Sequence, residues 1–397
     1  MNNALMATYN RLPVSFTHGE GVWLWDQNNK RYLDAISGIG VCSLGHANEA
    51  IAEVICAQSR ALLHTSNIYG ISLQEKLAQQ LCKITGMESV FFSNSGAEAN
   101  EAAIKMARLY GHQQGKQTPT ILVTENSFHG RTMATLTATG NPKVHAGFEP
   151  LVQGFLRVPY NNIEAIQTAA KNNNDITAIL VEPIQGEGGI NIPDDDYLTN
   201  LRKICDEHDW LLITDEIQSG MCRTGKWLAS QHYNIKPDIV TLAKALGNGI
   251  PIGACLAQGK ASNIFQPGNH GSTFGGNPFS CAVASEVIKI MDEKNIAEKA
   301  TAAGNSITRK LSDVLANTTV VNEIRHKGLM IGIELHKPCA ELVSKALEQG
   351  LLINVTHDKI IRLLPPLTIS ADEIDKLTNI LERLIKDFEQ TSNEPTN

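Results

Sequence analysis

Residues 210–249 read WLLITDEIQSGMCRTGKWLASQHYNIKPDIVTLAKALGNG, and this stretch decides the fold. It holds two apolar runs, Trp210–Asp215 and Asp238–Leu242. Both are too short for helices, are built largely from Ile, Val and Leu, and show no polar alternation. That is the pattern of strands covered on both faces. The first run ends on Asp215, and Lys244 follows the second. Upstream, Ser89–Ser93, Ile121–Glu125 and Thr177–Glu182 repeat the pattern, with helical periodicity between them over Ala97–Tyr110 and Tyr197–His208. This alternation predicts an α/β fold with a mostly parallel central sheet and helices on both faces. Ligands bind beyond the carboxyl ends of strands in such sheets, so Glu182, Asp215 and Lys244 fall at one candidate site.

The pattern changes after about Pro278. A helical stretch over Phe279–Leu315 precedes short strand-like runs at Leu329–Leu335, Leu351–Val355 and Ile360–Leu363. A final amphipathic helix carries Ile374, Leu377, Ile380, Leu381, Leu384, Ile385 and Phe388 on one face. These elements predict a smaller α+β domain, joined by the strand-like Gly21–Trp25 and Arg31–Asp34. The expected division is residues 1–45 as an N-terminal segment packing with the small domain, 46–280 as the large domain and 281–397 as the small domain. Thr391–Asn397 reads as a frayed tail.

A chain of 397 residues exceeds one ordinary core, which agrees with two domains. The net charge of -7 supplies no basic field for nucleic acid or an anionic membrane. No apolar run is long enough to span a bilayer, and MNNALMATYNRLPV lacks the pattern of a secretion signal. The eight cysteines show neither C-x-x-C pairing nor zinc-site spacing, which points to free thiols and no metal. A cytoplasmic location is expected.

Lys244 sits among small residues in AKALGNG, where another molecule can approach closely. A desolvated lysine near a cationic ring becomes a nucleophile toward an aldehyde, although a lone loop lysine is more often simply solvated. SNSGAEAN (93–100) joins a strand to a helix, and Ser95, Gly96 and Ala97 offer the N–H groups that bind phosphate at a helix start; an ordinary N-cap reads the same way. In SFHGRT (127–132), Phe128 can stack on a planar ring and Arg131 can fork onto a carboxylate. Taken singly, they read equally well as a core phenylalanine and a surface arginine. GSTFGGNP (271–278) offers hydroxyls between glycines.

Together these residues resemble the class III aminotransferases that use pyridoxal 5′-phosphate on fold type I. The resemblance runs from about Arg11 to about Phe388. It is carried by GEGVWLWDQNNKRYLD (19–34), SLGH (43–46), HTSN (64–67), FFSNSGAEANEAAIKMAR (91–108), SFHGRT, VEPIQGEGG (181–189), TDEIQSG (214–220), RTG (223–225), LAKALGNGIPIGA (242–254), GSTFGGNP and LLPPL (363–367). It implies that Lys244 forms the Schiff base and shuttles the proton, and that Asp215 keeps the ring nitrogen protonated. Gln218 would touch the ring's phenolic oxygen, with Glu182 nearby, and Phe128 would stack on the ring. Ser95, Gly96 and Ala97 would hold the phosphate. Thr273 would reach the phosphate in a neighbouring subunit, making a homodimer the minimal active unit.

The partners implied are small-molecule amino donors and 2-oxoglutarate. Arg131 and Arg362 would clamp substrate carboxylates, Glu187 would pair with Arg362 when glutamate is absent, and Ser272 would touch the donor. The nearest resemblance is to members that take the terminal amine of N2-acetylornithine. Ornithine-acting members carry two tyrosines where Ile39 and Gly70 stand here. Succinylornithine, N-succinyl-diaminopimelate and 4-aminobutyrate are the alternative donors, and a non-enzymatic regulator on this fold would lack Lys244. Two residues depart from the family pattern: Cys222 and Asn248 replace glycines.

Overall fold

The computed structural model describes residues 4–393. A seven-stranded sheet runs in the spatial order Ser89–Ser93, Gly253–Ala257, Ile239–Leu242, Leu211–Asp215, Ile176–Val181, Thr120–Thr124, Phe155–Val158. Only Gly253–Ala257 is antiparallel to its neighbours; the other pairings are parallel. The five strands expected from sequence lie within one residue of their expected bounds. Val240, Leu212, Ile213, Ile179 and Leu180 are all buried, as strands covered on both faces require.

Phe155–Val158 and Gly253–Ala257 were not foreseen. The first is a short edge strand. The second, GACLA, is poor in β-branched residues because it lies under the helix Gly96–Gln113. A Cβ on Gly253 would lie 2.3 Å from the Ser95 carbonyl oxygen. Close packing selected small side chains there and removed the usual strand signal.

The expected single helix after Pro278 is two, Pro278–Glu293 and Ile296–Leu315, broken where Asn295 adopts φ +51°. Pro278–Glu293 packs on the helices Glu49–Ala61 and Ser72–Thr85. Beyond it, Val321–Lys327, Met330–Leu335, Ile360–Leu363 and Asn354–Thr356 form an antiparallel sheet. The run expected at Leu351–Val355 is split: Leu351–Leu352 instead pairs in parallel with Arg31–Asp34, completing a second small sheet with Phe16–Glu20 and Trp23–Asp26. The final helix, Ala371–Asn393, buries the expected apolar face, with Ile380 at its margin. It continues through the first residues expected to fray, and 394–397 lie outside the described residues. Among the described residues no helix is long and apolar enough to cross a membrane, and the eight cysteines are unpaired.

Candidate active site

The parallel strands deliver their carboxyl ends to one edge, where a cavity of about 410 Å³ opens. Its wall includes Ser95, Gly96, Ala97, Phe128, Arg131, Glu182, Glu187, Asp215, Gln218 and Lys244, ten of the residues singled out from sequence. Arg362 stands behind Glu187 rather than in the wall. Ser272 connects through Asn94, whose amide donates to its Oγ at 3.2 Å. Thr273 is exposed and lies outside this cavity.

Asp215 ends its strand almost fully buried. Its Oδ2 accepts from Asn100 Nδ2 at 2.7 Å and lies 2.8 Å from His129 Nδ1, while Oδ1 accepts the Ile217 N–H at 3.1 Å. Asn100 is fixed in turn by Thr241 Oγ1, which donates to its Oδ1 at 2.8 Å. One carboxylate oxygen is therefore anchored from behind, and the group is oriented as an acceptor. Glu182 receives the N–H groups of Phe128 and Gly186 at 2.9 and 3.1 Å. Burial pushes its carboxyl up to about 7, against the pull of His129 and those two N–H groups.

Lys244 follows its strand in a left-handed conformation, φ +48°. A non-glycine residue held there stores strain, a common property of functional sites. Burial lowers its ammonium pKa to about 8; Glu187 opposes that shift and the Arg362 charge adds to it. Arg362 is 1% exposed. Its Nη1 donates to Glu187 at 2.5 Å and its Nε to Asn354 Oδ1 at 2.9 Å. Burial raises the Glu187 carboxyl, but Arg362, joined by Lys244 and Gln218, offsets this and together they hold it below the usual range. Gln218 Oε1 lies 3.4 Å from the same guanidinium. Arg131 is exposed at the rim, 5.8 Å over the Phe128 ring.

Ser95 caps the helix Gly96–Gln113: its Oγ accepts the Glu98 N–H at 3.2 Å, and Gly96 and Ala97, the first helical residues, line the cavity. A Cβ on Gly96 would lie 2.7 Å from Ile217 Cδ1, so only glycine allows the helix start and Ile217 to meet. The two departures from the family pattern keep glycine-like backbones, with Cys222 at φ +66° and Asn248 at φ +44°. Asn248 adds an anchor, its Oδ1 accepting the Leu44 N–H at 2.8 Å.

Sequence reading passed over three residues here. His129 and Asn100 orient Asp215, and Ile217 forms the wall opposite the helix start. His129 sits inside SFHGRT and Asn100 inside SNSGAEAN, but a histidine or asparagine in a loop or helix carries no directional signal. Ile217 could have been noticed as an aliphatic residue in the otherwise polar DEIQS. The set fits pyridoxal phosphate: free N–H groups at a helix start for the phosphate, an aromatic and an aliphatic wall for the ring, an anchored carboxylate for the ring nitrogen, and an amine for the aldehyde. His129 Nε2 is buried with no hydrogen-bond partner among the described residues, so a polar demand on this wall is still open.

The fold and this site define an aminotransferase, and the chain belongs to the class-III aminotransferase family, whose model matches residues 5–385. That family works with pyridoxal phosphate. The chain is 54% identical to the acetylornithine aminotransferase of Nitrosomonas europaea over 97% of its own length and 98% of that protein's. Among solved structures, the ornithine aminotransferase of Toxoplasma gondii superposes with TM-score 0.94 at 31% identity, covering 98% of this chain and 94% of that one. The acetylornithine aminotransferase of Elizabethkingia anophelis superposes with TM-score 0.86 at 34% identity, covering 96% of each chain.

Proposed function

We propose that the chain moves the terminal amino group of N2-acetyl-L-ornithine to 2-oxoglutarate, giving N-acetyl-L-glutamate 5-semialdehyde and L-glutamate, a step of arginine biosynthesis. The observation that carries this reading is the cavity that gathers Lys244 and Asp215 beside an arginine already occupied by Glu187. An enzyme that admits two unlike donors in turn needs a carboxylate clamp that can be closed for one of them. The 54% identity with an acetylornithine enzyme and the apolar Ile39 in place of a tyrosine support the acylated donor.

Pyridoxal phosphate, when bound, supplies the electron sink that stabilises a carbanion at the amine-bearing carbon. Asp215, anchored by Asn100 and His129, holds a proton on the ring nitrogen. Lys244, its pKa lowered by burial to about 8, gives up its proton more readily than an ordinary lysine and moves the proton at the reacting carbon. Phe128 and Ile217 confine the ring, Gln218 and Glu182 order its oxygen side, and the Gly96 and Ala97 N–H groups, with Ser95, bind the phosphate. Arg131 takes the donor's α-carboxylate or glutamate's distal carboxylate, and Ser272 adds a donor contact. Arg362 takes glutamate's α-carboxylate once Glu187 swings away. The pair prevents an unneutralised buried guanidinium from capturing the wrong carboxylate.

Thr273 lies beyond the chain's own cavity and completes the site of a second copy. The exposed Ile68, Tyr69 and Phe274 beside it supply apolar surface for that dimer. The proposed division remains 1–45, 46–280 and 281–397, supported by the pairing of Arg31–Asp34 with Leu351–Leu352. A cytoplasmic location completes the reading. Half-reactions of the holoenzyme with acetylornithine, succinylornithine, ornithine and 4-aminobutyrate, followed by the cofactor's spectrum, test it. Acetylornithine should lead; a win by orders of magnitude for ornithine or 4-aminobutyrate would overturn the assignment.

A further inference from the structure

The HTSN stretch at 64–67 has no part in the chemistry above, yet its asparagine makes a specific set of contacts. Asn67 Nδ2 donates to the Ser272 carbonyl at 3.0 Å and to the Gly275 carbonyl at 2.9 Å. Gln74, on the helix Ser72–Thr85, donates from Nε2 to Asn67 Oδ1 at 2.8 Å and to the Gly276 carbonyl at 3.0 Å. The two amides thus hold three backbone carbonyls of the loop that carries Thr273. The loop has little freedom elsewhere. Ser272 Oγ accepts the Gly275 N–H at 3.0 Å. A Cβ on Gly275 would lie 2.2 Å from the Phe92 carbonyl oxygen, and one on Gly276, at φ +72°, would lie 2.1 Å from Gln74 Nε2. His64 packs on Phe274 with ring centroids 5.3 Å apart. Inside this frame Thr273 is left exposed and lies outside the chain's own cavity.

We propose that Asn67 and Gln74 are positioning residues that act in trans: they hold the Ser272–Gly275 loop of one copy in the shape that receives the cofactor phosphate of the other. The inference rests on the reading that Thr273 completes a second copy's site. Its physical basis is preorganisation. A hydroxyl presented by a fixed loop binds a phosphate without first losing loop entropy, whereas a loosened loop must be ordered at each binding event. Neither amide touches the cofactor, so their effect falls on cofactor retention before it falls on chemistry.

The test uses Asn67→Leu and Gln74→Met, which keep side-chain size and remove the donors without adding charge. Each full-length holoenzyme is diluted, and cofactor loss is followed by absorbance, alongside the melting temperature. Cofactor affinity should be about tenfold weaker or more, with kcat at saturating cofactor within about threefold of the parent. Mixed dimers of Asn67→Leu with Lys244→Ala then separate trans from cis action. Their one lysine-bearing site borrows an intact loop, so its cofactor affinity should return to the parental value. Unchanged cofactor affinity in both homodimeric variants overturns the proposal. So does a mixed dimer that keeps the defect while Thr273→Ala, paired with Lys244→Ala in the same way, is rescued. Failure of Thr273→Ala to be rescued would instead remove the shared-site reading, and the proposal with it.

Discussion

Lys244 is a cost to the cofactor-free fold, and its size can be worked out. Burial, the largest cause, lowers its pKa from 10.5 to about 8, with Glu187 opposing and Arg362 adding. At about 1.4 kcal/mol for each tenfold change in proton affinity, that drop corresponds to about 3 kcal/mol. The sign follows from linkage. The folded-state pKa lies below the unfolded one, so below pH 8 both states are protonated and the folded state carries the whole penalty. Between pH 8 and 10.5 the unfolded chain holds a proton that the folded chain has released, and the penalty disappears as pH rises. Lys244→Met should therefore stabilise the cofactor-free protein by roughly 2–3 kcal/mol at pH 7 and by less than about 1 kcal/mol at pH 10. Urea titrations of both proteins, at one fixed protein concentration, would measure the gap. Coincident stabilities at pH 7, or a gap of the same size at pH 10, would refute the idea that the lysine's burial is the cause.

Three further outcomes are expected. Asp215→Asn keeps the shape but loses the charge opposite the ring nitrogen, so turnover should fall by several orders of magnitude while cofactor is retained; near-normal steady-state rates would count against the role. Glu187→Ala leaves Arg362 open at all times, so kcat/KM for acetylornithine should drop at least tenfold relative to that for glutamate, read from single-turnover spectra of the two half-reactions. Arg223, 1% exposed, donates to the carbonyls of Leu329 and Pro365 and to Ser43 Oγ, and Arg223→Met strands those acceptors. It should lower stability by about 2–4 kcal/mol in denaturant titrations.

The sheet was legible because strands buried on both faces announce themselves as unbroken apolar runs, and Ile176–Val181 and Leu211–Asp215 did so. Gly253–Ala257 was hidden because its contacts demand small residues, which erase the strand signature. The split between Glu293 and Ile296 was hidden because Asn295 breaks the helix by its backbone angle, in a stretch whose apolar spacing runs on. At the site, the residues that line the cavity were readable from their position after strands and from family resemblance. Those that act through them were less so: His129, Asn100 and Ile217 matter through where the fold brings them. Arg362 and Glu187 lie far apart in sequence, and they meet only because the strand Ile360–Leu363 is brought beside the loop that follows Ile176–Val181.

The reversed strand Gly253–Ala257 has one more consequence. It lies between Ser89–Ser93, which leads to the helix start at Gly96, and Ile239–Leu242, which leads to Lys244. The two jaws that would grasp opposite ends of a guest are thus spaced by two inter-strand steps, about 10 Å. Main-chain pairing sets that calliper, so replacing side chains can change the grip but leaves the opening of the jaws alone.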